Sequence, residues 1–380
     1  MRSDEGVVFL NYVITGEQVV YRVKERARGV LWGELLDVLT PSQHRVNAPC
    51  PYFGECGGCV FQHIDYQHQE TIKRNILKND LQRIGRYEVS LPGIFESPPF
   101  HNRVRARMKG QENGKIGFIR KGTNTVIAIN RCLLFPEPIN RFLEKWNSFE
   151  NPPFFHQMDM LMNPDNKNLY IHLSHPPGAE QKLILKLFPG IVFSWDGNED
   201  SGVSGLKIKD WSYLVSPTVF FQVNPFQWEN MLTAVESYLQ DCQTIIDLYT
   251  GVGFFIPLLK KYAQRVIGVE SFGFSVKLAG RAFGAAGVDF LRTPVEKFHF
   301  PEADILVVDP PRPGLSKHVM QQVLKKKYKK IVYISCSSAT FSRDLKELRE
   351  NGYRLEDLKI FDLFPQTSHL ETMGCFEKLI

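Results

Sequence analysis

No stretch of this chain approaches the roughly 18 consecutive apolar residues that a membrane-crossing helix needs, and none is of low complexity or repeated. The opening residues, MRSDEGVVFLNYVITGEQ, carry acids early and lack a long apolar core, so no secretory signal peptide is expected and the cytoplasm is predicted. Cysteine is scarce, with seven in 380 residues. In a cytoplasmic chain these read as metal ligands or catalytic thiols rather than disulfides. Neither charge sign dominates: the net charge of +5 is too small to specify a partner. What is present is a composition of 43% hydrophobic and 23% charged residues, that of a globular protein long enough for two or three cores.

The charge is unevenly spread. Between Glu70 and Lys121 twelve Lys/Arg face five Asp/Glu, an excess larger than that of the whole chain. Within it, Arg103, Arg105, Arg107 and Lys109 occupy every second position. On a strand that spacing puts four cations on one face, either a ladder for a phosphate backbone or a solvated sheet face.

Three textures divide the chain. Residues 7–39 read as short strands broken by Thr15-Gly16 and Arg28-Gly29, the pattern of a small β-barrel or part of one. Residues 41–86 hold three clustered cysteines and then a predicted helix over HQETIKRNILKNDLQRIG. From about 90 to 217 the pattern is mixed and strand-rich, with breaks at HPPGAE and SWDGNEDSG. Beyond Phe221, the runs TIIDLY, RVIGVE, ADILVVD and KIVYISC alternate with helical stretches of about a dozen residues, which predicts an α/β fold with a parallel sheet. Ligands of such sheets sit beyond the carboxyl ends of the strands.

The residues at those ends carry the chemistry. The first run ends in Asp247-Leu-Tyr249-Thr-Gly251-Val-Gly253, a glycine turn that lets backbone approach a ligand. Glu270 follows 23 residues after Asp247, where a carboxylate can accept hydrogen bonds from ribose hydroxyls. The pair predicts a nucleoside-containing cofactor without separating a dinucleotide from S-adenosylmethionine. The third strand ends in Asp309-Pro310-Pro311-Arg312, and the fourth in Cys336 before a helix beginning SSATFSRDL. A thiol there is favoured as thiolate by the helix dipole, with Arg343 as a helping cation. Glu371, before the last strand, places a carboxylate near the same edge.

Cys50, Cys56 and Cys59 form a C-x5-C-x2-C array. Cys132 is the natural fourth ligand of a metal site, and His63 offers a Cys3His zinc site as the alternative. Cys242 and Cys375 read as packed residues.

In order, FFQVNP, DLYTGVGFF, VIGVE, VVDPPRPGL, YISCSSATFSRDL and HLETM resemble the RNA uracil-5-methyltransferase family over residues 218–380, and the likeness continues through the cysteine cluster. The resemblance implies a Rossmann-like methyltransferase domain at 218–380, an iron–sulfur and central RNA-binding domain at 44–217, and a TRAM-like barrel at 1–43. It further implies that Gln222, Tyr249, Glu270 and Asp309, with the Gly251 turn, contact S-adenosylmethionine. Cys336 is implied as nucleophile, Glu371 as base, and Cys50, Cys56, Cys59 and Cys132 as ligands of a [4Fe-4S] cluster.

Attack of a thiolate on carbon 6 of uracil makes carbon 5 reactive towards the methyl group, a covalent route that splits one hard step into two. The ribosomal branch, with 23S ribosomal RNA as substrate and no obligate protein partner, is the expectation; transfer RNA is the alternative. Three departures stand out: Ser337-Ser338 where Asn-Pro is common, Phe254 where asparagine is common, and Pro294 in place of a polar residue. They motivate a second reading, an RNA-binding assembly factor that has lost catalysis. A nicotinamide-dependent oxidoreductase explains neither Cys336 nor the Asp-Pro-Pro-Arg turn.

Overall fold

The computed structural model describes residues 2–3, 6–27 and 29–379. Its largest sheet contains the four predicted strand runs beyond Phe221 and four further strands. In spatial order it runs Val288–Arg292, Ala263–Glu270, Cys242–Leu248, Ile305–Val308, Lys330–Ser335, Glu371–Lys378, Tyr353–Phe361 and Ile94–Phe95. The first five strands are parallel, as expected, whereas Glu371–Lys378 runs antiparallel to both its neighbours. Strand order reverses between Cys242–Leu248 and Ile305–Val308, which opens a crevice at their carboxyl ends.

ILVV and most of KIVYIS are buried, because strands covered on both faces present apolar residues in continuous runs. Helices Ile256–Tyr262, Gly273–Phe283, Lys317–Lys326 and Ser338–Glu350 provide that cover. Two apolar cores result, one on each face of the sheet.

The edge strand Ile94–Phe95 comes from far upstream and pairs in parallel with Ile360 and Phe361. The predicted helix is seen as Tyr66–Arg83, capped by Asp65, whose Oδ1 accepts the His68 N–H at 2.8 Å. It packs on Ser338–Glu350 and buries Leu77 and Leu81 in the core of the large sheet. Each such leucine contributes roughly 1.5–3 kcal/mol relative to exposure. The segment between the cysteines and residue 97 is thus part of the scaffold of the C-terminal sheet.

A second, mixed sheet of six strands lies between residues 105 and 195, and the hairpin Ser204–Ile208/Trp211–Val215 leads from it to the large sheet. At the N-terminus, Arg2–Ser3, Gly6–Phe9, Val30–Thr40 and Gln18–Ala27 form a four-stranded sheet in that order. The expected barrel is not seen: among the described residues the outer strands do not pair, and four strands leave the sheet open.

Candidate active site

The turn after the first strand is conformationally costly. Tyr249 (φ 62°), Gly251 (φ 58°) and Gly253 (φ 84°) are all left-handed. Glycine adopts this readily, but the tyrosine stores about 1–3 kcal/mol. Thr250 holds the turn by donating from Oγ1 to Asp247 Oδ2 at 2.5 Å and from its N–H to the Val269 carbonyl. Gln222, Asp247, Tyr249, Gly251 and Asp309 line one cavity beside it, together with Phe220 and Phe221. Gln222 Nε2 donates to Asp309 Oδ2 at 3.1 Å, and its own carbonyl accepts from the Trp228 indole. Glu270 is not in the cavity wall but reaches it through the Gly251 N–H, which donates to Oε2 at 3.2 Å. Its Oε1 accepts from the N–H of Phe272 and the hydroxyl of Ser271.

Cys336 lies at the end of Lys330–Ser335, just before Ser337, which caps the following helix by accepting the Thr340 N–H. The serine that departs from the family pattern therefore keeps the capping role for which asparagine is also suited. Burial pushes the Cys336 thiol up to about 11, the charges of Glu371 and Asp309 add to that rise, and Arg312 opposes it. The expected helping cation was Arg343. It points elsewhere, pairing with Asp344 and donating to the carbonyls of Pro313 and Leu315. Arg312 takes its place, donating to Nε2 of His369 at 3.0 Å. The sequence offered a signal for this in the arginine directly after Asp-Pro-Pro.

Three carboxylates lie together here, with Asp309 acting on both of the others. Burial pushes Asp309 up to about 7 despite the Gln222 hydrogen bond. Asp247 rises to about 7 by burial, with Asp309 and Glu270 adding to it against Thr250. Burial, then Asp309, hold Glu371 well above the usual carboxylate range. Such a cluster lowers its energy by taking in a positive charge.

Phe254, another departure, is buried with its ring against Phe221 while its carbonyl accepts from the Tyr213 hydroxyl. Pro294 caps the short turn Val295–Lys297.

Cys50, Cys56, Cys59 and Cys132 all line one largely apolar cavity, with Arg103 at its side. Burial raises Cys59 to about 11 and Cys132 to about 12. His63 is outside that cavity, packed between the rings of Tyr12 and Phe53. Burial lowers its pKa to about 4. Among the described residues, no group of three or more His, Cys, Asp or Glu is arranged to hold a metal ion.

The four alternating cations do not form one uniform face. Arg105 is turned inward and donates to the carbonyls of Pro217 and Phe221. Arg107 pairs with Asp159 at 2.6 Å, and Lys109 donates to Gln157. Arg103 lies by the thiols and over the Phe364 ring. The alternation is real: pairing with Gln157–Met162 sets Asp159 opposite Arg107 and Gln157 opposite Lys109, whereas Arg105 stands opposite Leu161 and Arg103 precedes the strand.

Residues 295–378 match the family model for tRNA (uracil-5-)-methyltransferase. An uncharacterized RNA methyltransferase of Aquifex aeolicus strain VF5 is 32% identical over 99% of this chain and 94% of its own length. One from Clostridium tetani is 29% identical over 96% of this chain and 90% of its own. The structure of a Pyrococcus abyssi tRNA (uracil-54, C5)-methyltransferase, in complex with S-adenosyl-L-homocysteine, superposes with a TM-score of 0.78 at 23% identity, covering 99% of this chain and 98% of that one. Likeness to the Aquifex protein along nearly the whole chain, with the family model falling on the strand ends that carry Asp309, Cys336 and Glu371, makes this chain a member of the RNA (uracil-5-)-methyltransferase family.

Proposed function

We propose that the protein methylates carbon 5 of a uridine in RNA, with S-adenosylmethionine as donor, Cys336 as nucleophile and Glu371 as base. The observation that carries this is the thiol of Cys336 set among Glu371, Asp309 and Arg312, next to the cavity behind the glycine turn. A sulfonium cation suits a cavity walled by Asp247 and Asp309, and it supplies the positive charge that brings buried acids back to their ionised form. Gln222 orients Asp309 for that contact, and Glu270 lies within reach of the ribose beside Gly251.

Cys336, as thiolate, adds to carbon 6, and the electrons of the ring double bond pass to the oxygen on carbon 4. Carbon 5 then takes the methyl group. Glu371 removes the hydrogen left on carbon 5, the double bond returns and the thiolate departs. The target base has to leave its stack to reach this depth.

Residues 1–43 are read as an RNA-docking sheet, 44–217 as the cysteine-bearing and central part, and 218–380 as the catalytic part. The four thiols line one apolar cavity without being gathered into a metal-binding group as they stand, and their number and type support the proposal of a [4Fe-4S] cluster drawing them together; it would link residues 50–59 to Cys132 as a structural tie, and the reaction has no redox step for it to serve. A zinc site using His63 is disfavoured, because that ring lies outside the cavity. The ribosomal preference is not carried over: the matched family model and the Pyrococcus enzyme are both named for tRNA, so the proposal extends to RNA as a class.

Incubation with S-adenosylmethionine and 5-fluorouracil-substituted ribosomal or transfer RNA tests the reading. Fluorine replaces the hydrogen that Glu371 removes, so a denaturation-resistant adduct accumulates. Equal trapping by Cys336→Ala would refute the nucleophile.

A further inference from the structure

Glu371 is reached through a segment that the enzyme holds with unusual care. Five residues before it, Gln366 is left-handed at φ 66°, a backbone that a non-glycine residue avoids unless its surroundings impose it. The surroundings are explicit. Gln69, buried on the Tyr66–Arg83 helix, accepts the Gln366 N–H at 3.1 Å and donates to Gln366 Oε1 at 3.0 Å. The carbonyl of Gln366 accepts from the N–H groups of Val60 and Phe61, both at 3.0 Å. Gln69 Nε2 also donates to the carbonyls of Phe61 and Ile64, so its amide ties helix, cysteine segment and loop at one point. Val60 directly follows Cys59.

We propose that Gln69 is a positioning residue for the base: with Val60 and Phe61 it fixes the left-handed backbone of Gln366 and so sets where Glu371 meets carbon 5. This rests on the proposed roles of Cys336 and Glu371. A glutamine suits the task because one side chain must both accept from and donate to the same residue, which neither a carboxylate nor an ammonium does. Since the clamp begins one residue after Cys59, order around the four thiols passes directly into the loop of the base.

The clamp acts on release of the adduct, not on its formation. Full-length Gln69→Met is compared with wild type in three measurements: trapping rate on 5-fluorouracil RNA, covalent adduct present during turnover of ordinary uridine RNA, and thermal midpoint. Trapping is expected to stay within about twofold while resolution slows about tenfold or more, because small misplacement of a reacting group carries penalties of that size. Covalent adduct should then build up on ordinary RNA.

Gln366→Gly, which adopts the left-handed backbone without strain, should restore at least about threefold of the resolution rate in the Gln69→Met background. Should Gln69→Met fail to fold, Gln366→Val leaves Gln69 in place but forbids the backbone, and is expected to show the same build-up. Equal slowing of trapping and resolution, or no accumulation in a folded variant, would overturn the positioning role. Absence of trapping by wild type would overturn the underlying reading of Cys336, and the proposal with it.

Discussion

Arg312 and His369 meet at the mouth of the site, the guanidinium donating from Nη2 to the imidazole Nε2 at 3.0 Å. Burial, followed by the nearby charge of Arg312, lowers the His369 pKa. The ring thus accepts from the guanidinium, which is fixed beside a thiol whose other charged neighbours are carboxylates. Arg312 is the one charge in this set that favours the thiolate.

Replacing Arg312 by methionine is therefore expected to raise the Cys336 pKa further above about 11 and to slow trapping on 5-fluorouracil RNA. A loss of about one pKa unit of thiolate stabilisation corresponds to about tenfold in rate when thiolate is limiting. Alkylation of Cys336 by iodoacetamide as a function of pH measures the shift without RNA. An unchanged alkylation profile would show that Arg312 does not act on the thiol.

Glu371→Gln keeps the size of the side chain and removes the proposed base. Its expected signature is normal attack followed by arrested release, so that adduct accumulates on ordinary RNA and turnover falls by about 100-fold or more. Gel mobility under denaturing conditions checks it; full turnover by the variant would assign the proton transfer elsewhere.

Donor binding should depend on pH through Asp309, held at about 7 by burial. Below that pH the group is neutral and offers little to a sulfonium; above it the carboxylate attracts the cation. Affinity for S-adenosylmethionine by calorimetry is expected to rise by several-fold to about tenfold between about pH 6 and pH 8. The neutral S-adenosylhomocysteine should show a smaller rise, and Asp309→Asn should reduce the rise for S-adenosylmethionine to the part due to Asp247, which burial also holds at about 7. The ligand-free protein changes in the opposite sense. Its folded state binds the Asp309 proton more tightly than the unfolded chain does, so between 3.8 and about 7 this group's contribution to stability falls as pH rises.

Lys73 and Asp362 form an ion pair at 2.7 Å with neither side chain exposed, and Lys73 also donates to the Phe364 carbonyl. Lys73→Met leaves Asp362 buried without its cation and should cost about 3–5 kcal/mol in a denaturant titration. Adding Asp362→Asn removes the stranded charge and should recover much of that loss. Failure to recover would mean that the lysine contributes through the Phe364 carbonyl rather than through the pair.

The catalytic half was legible because strand ends in a parallel sheet announce themselves by buried apolar runs, and Tyr249, Gly251, Asp309 and Cys336 fall directly after them. The Tyr66–Arg83 helix was legible from its sequence as well. Local pattern could not show what a residue faces across space. Period-two spacing put Arg103, Arg105, Arg107 and Lys109 on one side of a strand, but the acceptors of the last three come from Asp159, Gln157 and the carbonyls of Pro217 and Phe221. Arg343 is only seven residues from Cys336 along the chain and Arg312 twenty-four, yet the turn after Asp309 brings the more distant one to the thiol. Strand content at the N-terminus was readable, yet closure depends on edge pairing, which alternation does not encode.

Ile94–Phe95, only two residues long, closes the far side of the largest sheet. A fragment cut to start near residue 218 would lose that border and bare the hydrogen-bonding edge at Ile360 and Phe361, while Ser338–Glu350 would lose the helix that lies over it. Unsheltered rims of this sort recruit other chains. The large sheet and the segment at residues 66–95 therefore depend on each other for a sheltered fold.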